Sequence, residues 1–194
     1  MFRSGNMAKI DLVNSLQDTI DTVQDALDKG ADKAAFFCAL SIPDICAQIE
    51  FSDSMGVRER YSKWYNENVY PSENPPGQFP MNQLDGDVAY LIRCKLYHEG
   101  DRSHRNTLKK LKEKYKNSLS LHEEFKGDKI EFSLEFVPED TENFSICQTS
   151  NVANQENEVI YIKARVSPKT LSKKLIWIAN GVIENFKKNN PPSH

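Results

Sequence analysis

Two hydrophobic periods share this chain, and the change from one to the other limits the folds open to it. From Ile10 to Leu27 the apolar residues Ile10, Val13, Leu16, Ile20, Val23 and Leu27 recur every three or four positions, with Asp11, Asp18, Asp21, Asp25 and Asp28 between them. That spacing puts the apolar set on one stripe of a helix and the aspartates on its outer face. In "KIEFSLEFV" the pattern alternates instead: Ile130, Phe132, Leu134 and Phe136 on one side, Glu131, Ser133 and Glu135 on the other. This is the signature of a strand, ended by Pro138. A chain with both periods must combine a helical part with a sheet.

The other elements follow from their breakers. Gly30 suits the C-terminal cap of the first helix, and "ADKAAFFCALSIPDICAQIE" reads as a second helix that Pro43 must kink or divide. "VRERYSKWYNENV" places Val57, Tyr61, Trp64, Tyr65 and Asn68 on nearby turns of a third helix ending before Pro71. The link "YPSENPPGQFPMNQ" is expected to be loop, neither helix nor inner strand, because of its prolines. Asp85 is the expected N-cap of a helix running to about His98 and closed by Gly100. "NFSICQT" and "EVIYIKARV" add two strands across the turn-rich "SNVANQENE". Ser167 and Pro168 then open a last helix with Leu171, Leu175, Ile178, Val182 and Phe186 inward.

The expected fold class is α+β: a mainly helical bundle, a small antiparallel β-meander at about 129–166, and a C-terminal helix. At 194 residues one core suffices, so a single domain spanning 1–194 is expected, with a helical part at 8–117, strands at 128–166, a closing helix at 167–188 and a disordered tail at 189–194. No apolar run reaches the length of a membrane span, and the start lacks the apolar core and cleavage site of a signal peptide. The expectation is a cytoplasmic protein without a membrane partner. Cys38, Cys46, Cys94 and Cys147 lack paired close spacing, which favours buried thiols over a disulfide frame and leaves no metal site expected. "NPPGQFP" and "EGDR" hold glycines but lack phosphate-loop spacing, so no cofactor is expected. The net charge of -3 does not mark a dedicated nucleic-acid binder.

Charge distribution matters more. Residues 102 to 116 hold Arg102, Arg105, Lys109, Lys110, Lys112, Lys114 and Lys116 against the single acid Glu113. Such a run is either a solvated face or a phosphate-contacting arm. Just before it, "DVAYLIRCKLYHEGDR" combines an apolar helix with Arg93 and His98. Val88, Leu91, Ile92 and Leu96 share one arc of this helix, Tyr90, Arg93 and Tyr97 a second, and Cys94 and His98 a third. So little of it is made for water that it belongs inside the protein or at an interface. Arg93 then needs a phosphate or carboxylate partner, and Lys95 at the edge of the apolar arc breaks the local pattern. His98 sits where the helix dipole favours imidazolium, in the range useful for acid and base work, or serves simply as a cap. Five residues apart, Arg93 and His98 differ by roughly 140° in azimuth and about 7.5 Å along the axis. They meet at one ligand only if the arginine bends round or the helix pairs with a second copy across a two-fold axis. Cys94 and His98 are also spaced for a thiolate and imidazolium pair, though no orienting residue accompanies them.

The run from Arg93 to His98 resembles the R-x4-H signature of the HEPN superfamily, near a helix end as in that superfamily. "YLIRCKLYHEG", "FFCALSIPDICAQIE" and "RYSKWYNENV" are similar to phrases shared by a group of bacterial proteins. The resemblance covers residues 8–117 and leaves out the strands. It implies a homodimer whose facing motif helices form a composite, metal-independent endoribonuclease site acting on RNA. His98 would then be the general base or acid and Arg93 the phosphate holder, with Lys95, Arg102, Arg105 and Lys109 as substrate-binding support. It also brings an antitoxin-like protein as a further partner. Many active members carry Asn, Asp or His directly after the arginine, where this chain has Cys94. The alternative is a noncatalytic dimerisation or partner-binding module in which Arg93 and His98 are structural.

Overall fold

The computed structural model describes residues 3–51, 54–73, 84–97, 109, 129–139, 146–154 and 157–191. The span expected to be one domain packs as two compact units, Met1–Val69 with Pro168–His194 and Tyr70–Ser167. The architecture is α+β, mainly helical with a small sheet. Among the described residues no helix is long and apolar enough to cross a membrane.

The first unit is helical. α1 (Arg3–Asp28) buries Val13, Leu16, Ile20, Val23 and Leu27 and exposes all five of its aspartates from Asp11 to Asp28. Ile10, expected on the buried stripe, is 46% exposed, so the stripe begins one turn later. Gly30 takes φ +69, a left-handed conformation that costs glycine little. It lets the Gly30 and Ala31 amides donate to the Leu27 and Ala26 carbonyls, at 3.0 and 2.9 Å. This double closure satisfies carbonyls that the helix end would leave orphaned.

Pro43 divides the next segment as expected, into α2 (Asp32–Ala39) and α3 (Ile42–Glu50). It sits in the first turn of α3, where an amide would have no intrahelical partner to lose. α4 (Val57–Asn68) buries Tyr61, Trp64 and Tyr65 completely. It also buries Arg60, whose guanidinium lies 3.6 Å from Asp44 on α3. The closing helix α7 (Pro168–Asn189) begins on Pro168 and packs against α1, α2 and α3.

The buried stripe of α7 is rotated from the expected one. Leu171, Leu175 and Val182 are buried as expected, but Ile176, Ala179 and Ile183 complete the stripe, while Ile178 and Phe186 keep solvent contact. The apolar residues of α7 occupy more than one arc, and its helical neighbours select which arc is covered. Helix continues through Asn189, and Asn190 bonds back to the Phe186 carbonyl at 3.0 Å through its backbone amide, so the expected disordered tail does not begin at 189.

The second unit holds α5 (Tyr70–Glu73), α6 (Gly86–Tyr97) and a three-stranded sheet. α5 corrects the expectation of a non-helical link, because Pro71 falls in a first turn, where proline is tolerated. Residues 74–83 of that link lie outside the described residues. β1 (Lys129–Phe136), β2 (Ile146–Asn154) and β3 (Asn157–Val166) are ordered β1-β3-β2. β2 pairs with β3 antiparallel, but β1 pairs with β3 in parallel, which overturns the antiparallel meander. Alternation identifies a strand but not its neighbour or direction. Here Ile130, Phe132, Leu134 and Phe136 fall opposite Ile160, Ile162, Ala164 and Val166, so the apolar rows of β1 and β3 coincide in register. Placing β2 on the far side of β3 leaves that match undisturbed, and the chain from Phe136 to Asn157 is long enough for a parallel return. Glu135 and Arg165 are register partners whose charged groups lie 3.5 Å apart. The expected turn-rich stretch contributes most of its length to the hairpin, which pairs as far as Asn154 with Asn157.

Candidate functional site

α6 starts where expected. Asp85 caps it with Oδ1, which accepts from the backbone amides of Asp87 and Val88, both at 3.0 Å. The carboxylate thus satisfies two of the amides left open at the helix start and opposes the positive end of the helix dipole. Over the next turns the helix is buried on every side: Val88, Ala89, Tyr90, Leu91 and Ile92 are five consecutive buried residues, which together span the full circumference.

The burial stops at the last turn. Cys94 is still sealed, but Arg93, Lys95 and Leu96 are half-buried and Tyr97 is 48% exposed. Arg93 lies with its guanidinium carbon 5.8 Å from the centre of the Tyr90 ring, within reach of a cation–π attraction. Tyr90, Arg93 and Tyr97 occupy one side of the helix, so the arginine sits between an enclosed and an accessible aromatic ring. Of the other expected site residues, Lys109 is helical and exposed. His98, Arg102 and Arg105 lie outside the described residues, as does Gly100. Among the described residues no group of three His, Cys, Asp or Glu side chains is placed to hold a metal ion. Cys38, Cys46 and Cys94 are not joined in disulfides.

A second polar centre, not anticipated from the sequence, lies in the helical unit around Glu50, the last residue of α3. Trp64 on α4 donates its indole N–H to Glu50 Oε2 at 2.7 Å. The residue as a whole is exposed, yet the partial burial of its carboxyl group beside Trp64 holds its pKa above the ordinary carboxylate range. The Trp64 bond opposes that rise and the nearby Glu67 charge adds to it. One turn back, burial pushes the Cys46 thiol far above the ordinary thiol range, and the Glu50 charge contributes to the rise; Cys46 is fully buried in the core. Lys9 reaches from α1 to donate to the Ile49 carbonyl at 2.9 Å, closing the C-terminal end of α3. The one available signal in the sequence was a carboxylate ending an apolar helix, with a tryptophan fourteen residues later at a buried position of the next helix.

No protein-family model matches this chain, and no curated protein or solved structure matches it either.

Proposed function

We propose that this chain is an HEPN-like RNA-binding protein that works as a homodimer, with Arg93 and His98 forming a composite, metal-independent endoribonuclease site. The observation that carries this reading is the opening of α6 at its last turn. A helix buried all round from Val88 to Ile92 gains solvent contact at Arg93 and Lys95, and most at the exposed Tyr97, directly before His98. Arg93 holds a bridging phosphate and stabilises the charge that builds on it during in-line attack. His98 takes the proton of a ribose 2′-OH or returns one to the leaving 5′-oxygen. The azimuthal separation of Arg93 and His98 is met by pairing two copies, so that the arginine of one and the histidine of the other face one phosphate. Lys95, Arg102, Arg105 and Lys109 neutralise neighbouring phosphates, and the exposed Tyr97 ring offers a face for base stacking.

The test is cleavage of a mixed single-stranded RNA in excess EDTA by the wild type, His98→Ala and Arg93→Ala, each checked for folding. Loss of cleavage in both folded variants supports the reading. An inert wild type that still binds RNA removes the nuclease part and keeps the binding part.

A second reading is favoured by the packing of Arg93 against Tyr90. In it Arg93 is a structural cation, His98 ends the helix, and the chain is a noncatalytic dimerisation module or binds an antitoxin-like protein. Cys94, buried where active relatives of the superfamily would carry a polar residue, is consistent with that role. Arg93→Ala would then lower the melting temperature without changing RNA affinity.

A further inference from the structure

Along one flank of α7, within the helical unit, runs a groove of about 460 Å³ lined by Glu50, Asn68, Trp177, Asn180, Glu184 and Asn185. It continues past Glu50 and Asn185 into a second lobe of about 320 Å³ bordered by Lys9 and Asn189. Trp177 is 76% exposed, the most exposed of the large hydrophobic side chains described. An indole on a polar groove wall, not folded into the core, is a surface for a flat partner.

The charges of the groove are one-sided. Glu50 and Glu184 both line the first lobe. Glu50 is held in place by Trp64, and among the described residues no cation forms an ion pair with it. A carboxylate that has lost part of its hydration without gaining a counter-ion favours a cationic ligand. The amides of Asn180 and Asn185 supply neutral donors and acceptors beside it. The Lys9 ammonium lies in the other lobe and already donates to Ile49, so it does not neutralise the Trp177 end.

We propose that this groove binds a guanidinium group, stacked on the Trp177 indole and hydrogen-bonded through its fork to the Glu50 carboxylate. A guanidinium fits better than an ammonium because it is planar, weakly hydrated and able to present two parallel donors to one carboxylate while its face rests on an aromatic ring. A neutral sugar would use the indole and the amides but would leave the partly dehydrated Glu50 uncompensated. The second lobe gives room for groups flanking the guanidinium. The source is either an arginine within a peptide or a free small guanidine, and the two differ in whether that lobe is filled.

The test is isothermal titration of the full chain with N-acetyl-arginine methylamide, with a hexapeptide holding one central arginine, and with the lysine and citrulline counterparts of each, while the indole N–H signals of Trp64 and Trp177 are followed by NMR. Saturable binding of the arginine compounds that moves the Trp177 signal is expected, with the lysine compounds weaker and the citrulline compounds silent. Trp177→Ala and Glu50→Gln should each weaken binding by about tenfold or more, equivalent to about 1.4 kcal/mol. Trp177→Ala removes an exposed side chain and keeps the test valid if Glu50→Gln disturbs the fold. Tighter binding of the hexapeptide than of the methylamide assigns a peptide source; equal binding assigns a free guanidine. No saturable binding of either arginine compound, equal binding of citrulline, or unchanged affinity in Trp177→Ala overturns the proposal.

Discussion

α1 and α6 both bury apolar side chains, yet they meet their surroundings in opposite ways. α1 buries one stripe and leaves an outer face that carries five exposed aspartates, whereas α6 is enclosed on every side from Val88 to Ile92. A one-sided helix supplies core area and tolerates change on its outer face. An enclosed helix has no spare face, so whatever it offers to a ligand must come from its ends. That is why the solvent contact of Arg93, Lys95 and Tyr97 carries more weight than a similar exposure on α1 would.

Alanine scanning should separate the two helices most strongly. On α6, Tyr90→Ala, Leu91→Ala and Ile92→Ala step round the helix by about 100° each, and each should cost about 2–5 kcal/mol in urea unfolding. On α1, Leu16→Ala should cost a similar amount, but Asp18→Ala and Asp21→Ala should stay within about 0.5 kcal/mol. A cheap substitution among the three on α6 would show that one face is open and would break the comparison. Asp85→Ala comes next, at about 1 kcal/mol for a lost cap, with Asp85→Asn recovering most of it because the amide oxygen still accepts from the Asp87 and Val88 amides.

The contrast between these helices was partly legible beforehand. The α1 stripe, the break at Pro43, the caps at Gly30 and Asp85 and the start at Pro168 are local features, each written in a few adjacent residues and each observed. What escaped is non-local. The direction of β1 depends on which strand it meets, and a period of two is the same in either direction. The inward face of α7 depends on which neighbours cover it, so Ile178 and Phe186 exchanged places with Ile176 and Ala179. The groove beside Glu50 was hidden for the same reason: Trp177, Asn180 and Glu184 look like an ordinary solvent face until α3 and α4 bring a partly dehydrated carboxylate up to it. Of the expected catalytic pair, the structure positions Arg93.

The smallest predicted effect is a pH slope in the helical unit. Because the Glu50 pKa is raised in the folded state, that state binds more protons than the unfolded chain once pH passes the ordinary carboxylate range. Stability contributed by the protonated form is therefore present below that range and lost as pH rises through the raised value. Glu50→Gln keeps an oxygen for the Trp64 indole while removing the titration. Its thermal stability relative to wild type should improve from acidic to neutral pH, and a constant difference across that interval would contradict the assignment.

The most direct measurement of the central claim is RNA binding at the open end of α6. Fluorescence anisotropy with a labelled single-stranded RNA, read over a series of salt concentrations for wild type, Arg93→Ala, Lys95→Ala and the control Asp18→Ala, isolates that turn from the remaining protein. If the last turn of α6 contacts phosphate, wild-type affinity falls steeply with salt, the two α6 variants bind more weakly with a shallower slope, and the α1 control matches wild type. Equal affinity and equal salt dependence in all four proteins, or no RNA binding by the wild type at low salt, would contradict it.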